Sequence, residues 1–133
     1  MGLHQTSEQI ESLMKRNHQW WRPVFTGLHR LGAYIVDWRK RKGFDTGWKN
    51  VPEKLMLVVT ELSEAMEAYR HWLVDQHNEE LGPKRVANFR EELADAMIRL
   101  LDLTHSLGID IGNEIRAKME VNEARPERHG KGC

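Results

Sequence analysis

Two pairs of acidic residues stand out for the company they keep. Glu61 and Glu64 lie in "VVTELSEAMEAYR", directly after the apolar run from Leu55 to Val59, and Glu67 follows three residues on. Glu92 and Asp95 lie in "NFREELADAMIRLLD", among Phe89, Leu93, Met97 and Leu100. On a helix, residues three apart share a face, with β-carbons about 5–6 Å apart. If the two helices pack antiparallel, four carboxylates converge. Such a group cannot stay fully ionised in a poorly solvated cleft, because like charge and burial both raise a carboxyl pKa. A divalent cation resolves the conflict. An all-oxygen set without His or Cys suits Mg²⁺, or Mn²⁺ in its place. Mg²⁺ itself takes only one or two carboxylates, so four suggest more than one ion, completed by phosphate oxygens. Acidic pairs at this spacing also decorate ordinary solvated helix faces. The repetition on two neighbouring apolar helices is what points to a site. Glu67 and Glu91 read as surface charges.

A second polar set lies in "KMEVNEARPERHGKG". Lys118 and Asn122 are four apart and face one way, Arg125 follows, and His129 and Lys131 lie beyond. Beside an acidic metal site, cations and an amide suit a polyphosphate. Read alone, the same cations simply complement a helix C-terminus. Trp48 and Trp72 flank the first acidic helix and could stack on a base. Trp38 and Tyr69 fall on apolar stripes and are expected in the core.

The elements that would position these groups are all helical. A capping box from Thr6 to Gln9 opens an expected helix at 7–20, ended by Pro23. Leu28, Leu31, Tyr34, Ile35 and Trp38 mark a second at 26–42, with Arg39 to Lys42 in its last turn and Gly43 as its stop. The third, at 51–74, has Asn50 and Glu53 as a cap and Pro52 in its first turn. Its expected core stripe is Leu55, Val59, Leu62, Met66, Tyr69 and Leu73. The fourth, at 84–107, shows Val86, Phe89, Leu93, Met97, Leu100 and Leu107, and Gly108 closes it. The fifth, at 111–124, is capped by Asp110 and lined by Ile111, Ile115 and Met119. No run alternates as a strand would. The expectation is an all-α, compact bundle of four to five helices.

Composition narrows the function classes. The 133 residues suit one domain, and 20 basic residues balance 20 acidic ones. No global field draws the chain to nucleic acid or an anionic membrane, so no nucleic-acid or membrane partner is expected. Cys133 is the one cysteine, which excludes a disulfide framework and fits a reducing cytoplasm. No apolar run has membrane-spanning length, and the N-terminus has no apolar signal core.

With these residues in view, the chain resembles the MazG-like family of all-α nucleoside triphosphate pyrophosphohydrolases. The family pattern is ExxE on one helix and ExxD on the next, here "ELSE" and "ELAD". The block "KMEVNEARPERHGKG" is similar to the K…N..RP..HG.K segment of small bacterial and phage members, and "GFDTGWKNVPEKLMLVVTELSEAMEAYR" to the region around their first motif. The likeness covers about 28–131 and leaves 1–25 as an N-terminal helical extension to a domain at 26–133. It implies that Glu61, Glu64, Glu92 and Asp95 bind Mg²⁺ and carry catalysis. It implies that Lys118, Asn122 and Arg125 contact a triphosphate, hydrolysed to monophosphate and pyrophosphate. It also implies a homodimer or a dimer of dimers. Two rivals stand beside it. A di-iron bundle needs two Glu-x-x-His motifs, and only Asp102 with His105 offers such a spacing. A non-catalytic helical interaction module is the second, with the stripe around Leu28–Trp38 as a dimer face on either reading.

Overall fold

A computed structural model describes residues 18–126. Among them are four α-helices and one 3-10 turn, with no strand. Helix α1 is His18–Arg41, the 3-10 turn is Trp48–Asn50, α2 is Val51–Asp75, α3 is Leu81–Ser106 and α4 is Ile111–Glu123. No described helix is long and apolar enough to cross a membrane. The expected capping box at Thr6 and most of the helix at 7–20 lie outside the described residues, as do His129 and Lys131.

Pro23 does not end a helix, contrary to the sequence reading. It lies inside α1. A proline removes one hydrogen bond, here to the carbonyl of residue 19, and the rest of the ladder continues. The link expected over 75–84 is also shorter, because α3 starts at Leu81, two residues before Pro83. Proline is tolerated in a first turn, where its missing N–H has no partner to lose.

Two glycine stops work as expected. Gly43 and Gly108 both have positive φ, +87° and +72°. After α1, Gly43 N donates to Lys40 O and Phe44 N to Arg39 O, each at 3.0 Å. After α3, Gly108 N donates to His105 O and Ile109 N to Thr104 O, at 3.1 and 2.9 Å. Both are Schellman motifs, which need a left-handed residue that only glycine adopts cheaply.

The described residues fall into two compact units, 18–31 with 110–126, and Gly32–Ile109. In the first, Gly112 is buried against Phe25: a Cβ there would lie 2.8 Å from the ring's Cδ1. Asp110 caps α4, accepting from Asn113 N at 3.2 Å and from Asn113 Nδ2 at 2.7 Å.

The second unit is built on the α2–α3 hairpin. Two inter-helix ion pairs fix its register. Arg99 Nε donates to Glu61 Oε1 at 2.5 Å, and Arg85 Nε to Asp75 Oδ2 at 2.8 Å. Glu61 to Asp75 runs fourteen residues forward on α2, and Arg99 to Arg85 fourteen back on α3. The helices are therefore antiparallel. On α2 the inner seam is Lys54, Val58, Glu61, Ala65, Ala68, Trp72 and Asp75; on α3 it is Gly82, Arg85, Phe89, Glu92, Ala96, Arg99, Leu103 and Ser106. Steps of three and four alternate along both, the period of a coiled-coil seam. None of these residues is exposed. Ala65, Ala68 and Ala96 are small enough to let the helix axes approach closely.

The expected core stripe is therefore corrected. Leu55, Val59, Leu62, Met66, Tyr69 and Leu73 are 43–53 % exposed. They form a second seam, one residue on from the inner one and hence about 100° around the helix. Val86, Leu93 and Met97 on α3, and Ile115 and Met119 on α4, are also exposed. So are Leu31, Tyr34 and Trp38 on α1, where only Ile35 of the expected stripe is buried.

Candidate functional site

The acidic residues meet across the hairpin seam. Glu61 and Glu92 belong to the inner seams, and Asp95 lies one turn on from Glu92. Oxygen atoms of Glu61, Glu92 and Asp95 lie within 4.8 Å of one another. That spread is close to the roughly 4 Å across a six-coordinate Mg²⁺ site, and the donor set is hard oxygen throughout. Residues and cation fit. Glu61 is buried, Glu92 half-buried, and Asp95 exposed, so the cluster opens from the seam to solvent. Glu64 is exposed and lies beside Glu92 rather than within the group of three.

Glu92 feels the crowding most. Burial first, then the charge of Glu64, pushes its carboxyl above the ordinary value of 4.5. Hydrogen-bond contact with Glu61 and Glu64 and the charge of Glu61 push the same way. Two carboxyls in such contact need a proton, or a cation, between them.

Arg99 completes the cluster and was not anticipated from the sequence. It is the cation bound to Glu61. The signal was available: Glu92, Asp95 and Arg99 step by three and four and so share one face of α3.

A second polar knot sits one turn beyond Arg99, towards the C-terminal end of α3. Asp102 is 3 % exposed, and its Oδ2 accepts from Thr46 Oγ1 at 2.6 Å. Arg39 Nε lies 3.0 Å from the same oxygen without an aligned hydrogen bond, and its guanidinium stacks 4.4 Å from the Phe44 ring centre. Asp102 is thus committed to Arg39 and Thr46, which removes it from the di-iron pairing with His105. His105 packs against Gly32, whose Cβ position is 3.3 Å from it.

The knot anchors the loop that carries Trp48. Asn50 holds the N-cap position of α2 but makes no side-chain cap bond. It faces back into the loop instead, accepting from Gly47 N at 2.9 Å and donating to Asp45 O at 2.8 Å. Trp48 projects from this frame, 73 % exposed. Trp72 is half-buried and stacks on Tyr69, with ring centres 5.8 Å apart. Tyr69 and Trp38, expected in the core, are exposed at its margin. Trp48 and Trp72 lie at opposite ends of α2, about 30 Å apart at 1.5 Å per residue. A single base on one chain can meet only one of them.

Lys118 and Asn122 lie four apart on α4 and are exposed, as is Arg125 just past its end. They belong to the other compact unit from the acids. Comparison of the chain with family models, with curated proteins and with solved structures returns no match.

Proposed function

We propose that this chain is a Mg²⁺-dependent nucleoside triphosphate pyrophosphohydrolase of the MazG-like type, acting in the cytoplasm as a homodimer or dimer of dimers. The observation that carries the reading is the meeting of Glu61, Glu92 and Asp95 from two helices, with Glu64 beside them. The ExxE and ExxD spacing and the Lys118, Asn122, Arg125 set support it from the sequence.

In this reading the three clustered carboxylates would share the divalent cations, each ion taking one or two of them and leaving positions for phosphate oxygens. When bound, Mg²⁺ supplies charge neutralisation to the triphosphate oxygens and acidifies a neighbouring water. Lys118, Asn122 and Arg125 are assigned to triphosphate contact on the sequence resemblance alone. Water attacks the α-phosphorus, the bond from that phosphorus to the α–β bridging oxygen breaks, and pyrophosphate leaves. Glu64, outside the group of three, is the carboxylate left to take the proton from the water. Trp48, exposed on an anchored loop, offers a face for the base.

Self-association has its own support. Six large apolar side chains on α2 repeat with a coiled-coil period and stand about half exposed. A second hairpin laid against that face would complete a four-helix bundle.

The test is a panel of ribo- and deoxynucleoside triphosphates with Mg²⁺, scored for pyrophosphate. At least one should yield monophosphate and pyrophosphate, with loss in chelator. Asp95→Asn should lower turnover at least about a hundredfold without changing the thermal melt, since Asp95 is exposed. No pyrophosphate from any nucleotide, or full turnover in that variant, would overturn the assignment and leave a non-catalytic interaction module.

A further inference from the structure

Arg85 and Arg99 make the same kind of bond on the same seam, Nε to an α2 carboxylate. Their settings differ. Asp75, the partner of Arg85, stands apart from the acidic cluster, whereas Glu61 is one of the three clustered carboxylates. Arg99 therefore places a fixed positive charge against a group that otherwise carries only negative ones. It also occupies Oε1 of Glu61, one of the two oxygens this buried residue can offer. A guanidinium and a divalent cation have the same use for that carboxylate.

We infer that Arg99 is a tethered counterion that competes with the divalent cation for Glu61, so that cation uptake is coupled to release of the guanidinium. Arg99 is a positioning residue: it holds Glu61 at the seam in the cation-free protein and sets how strongly the cluster draws metal. The inference rests on the cation-binding reading of the cluster. It goes beyond that reading by naming what the cation must displace. The direction of the effect follows from charge. Even in a water-like dielectric, a unit positive charge about 6 Å from a divalent ion weakens its binding roughly tenfold. Arg85 lies fourteen residues back along α3, about 21 Å away. That exceeds twice the screening length at physiological salt, so Arg85 should have no such influence.

The experiment is a Mn²⁺ titration of the nucleotide-free protein by calorimetry, with free Mn²⁺ followed by its paramagnetic resonance signal. Wild type is compared with Arg99→Gln, Arg99→Lys and Arg85→Gln. Arg99→Gln should bind Mn²⁺ roughly tenfold more tightly. Arg99→Lys, which keeps the charge, should stay near wild type. Arg85→Gln should lose an inter-helix ion pair and some thermal stability with Mn²⁺ affinity unchanged. Equal or weaker Mn²⁺ binding in Arg99→Gln would overturn the inference, as would equal tightening in both glutamine variants. If Arg99→Gln does not fold, the wild type still decides. The arginine Nε–H resonance that Arg99→Lys lacks should shift when Mg²⁺ is added, and a fixed resonance under saturating Mg²⁺ would overturn the inference. Absence of Mn²⁺ binding in wild type and Arg99→Gln alike would sink the cation site itself and this coupling with it. Binding by wild type with no tightening in Arg99→Gln would sink the coupling alone.

Discussion

Thr46 Oγ1 donates to Asp102 Oδ2 across 56 residues of sequence, at 2.6 Å. That bond ties the loop before α2 to the C-terminal half of α3, and Arg39 brings the end of α1 to the same carboxylate. The three residues are unequal partners. Thr46→Val removes one donor and leaves Asp102 its cation, so a loss of about 1–3 kcal/mol is expected. Asp102→Ala leaves the Arg39 guanidinium buried without a counter-charge, which typically costs about 3–5 kcal/mol. Urea unfolding of the two variants should rank them in that order.

Glu92 makes stability depend on pH in an unusual direction. Its carboxyl holds a proton more tightly in the fold than in the unfolded chain. Between the ordinary value of 4.5 and the raised one, the native state carries more protons than the unfolded state. Stability contributed at this site is therefore full below 4.5, falls as pH rises through the raised value, and then levels off. Glu92→Gln mimics the protonated form at every pH. In chelator, the melting temperature of Glu92→Gln should pull ahead of wild type as pH rises from 4 to 7. Mg²⁺ should close the gap by stabilising wild type. A gap that is constant with pH would show that crowding at Glu92 is not felt by the fold.

The two tryptophans separate by burial. Trp48 is exposed and touches solvent on a loop held by Asn50 and Thr46, so Trp48→Ala should leave the melt within about 0.5 kcal/mol of wild type. If the base stacks there, KM for the nucleotide should rise roughly tenfold with kcat little changed, matching about 1–3 kcal/mol per stacked base. Trp72 is a seam residue stacked on Tyr69. Trp72→Ala should cost about 3–5 kcal/mol of stability. Urea denaturation beside steady-state kinetics separates the two outcomes.

How much of this was legible follows from the helix period. The helices at 51–75, 81–106 and 111–123 could be read within three residues, because caps, glycine stops and apolar spacing agree. The acids could be paired because ExxE and ExxD put each pair on one face. The core face of α2 could not be picked from hydrophobicity alone. Two coiled-coil seams run side by side there, and the greasier one, Leu55 to Leu73, is not the one the chain buries. The buried seam carries Lys54 and Glu61, which score as surface one at a time, and two alanines, which are only weakly apolar. They win because small side chains shorten the inter-helix distance and because Arg99 and Arg85 satisfy Glu61 and Asp75. The Asp102 knot was invisible for a similar reason. Its partners lie 56 and 63 positions away, and no local spacing encodes them.

The outer seam then gives the sharpest test of assembly. Leu62 and Met66 stand at its centre, 49 % and 53 % exposed, one turn apart and adjacent to Glu61 and Ala65 of the inner seam. A lysine at either position would cost the isolated chain little, because the side chain already meets solvent. It would place a charge in the middle of a face that a partner hairpin must desolvate, which typically costs several kcal/mol per buried unpaired ion. Light scattering should report a multiple of 15.6 kDa for wild type and a shift towards 15.6 kDa for Leu62→Lys or Met66→Lys. Glu67→Lys, exposed and outside both seams, is the charge control and should leave the mass unchanged. A wild type that runs at 15.6 kDa at concentrations up to about 100 μM, far above the Kd of a stable dimer, would mean that this stripe does not mate with a second copy. Loss of helix in the lysine variants without change of mass would place Leu62 and Met66 in the fold rather than the interface.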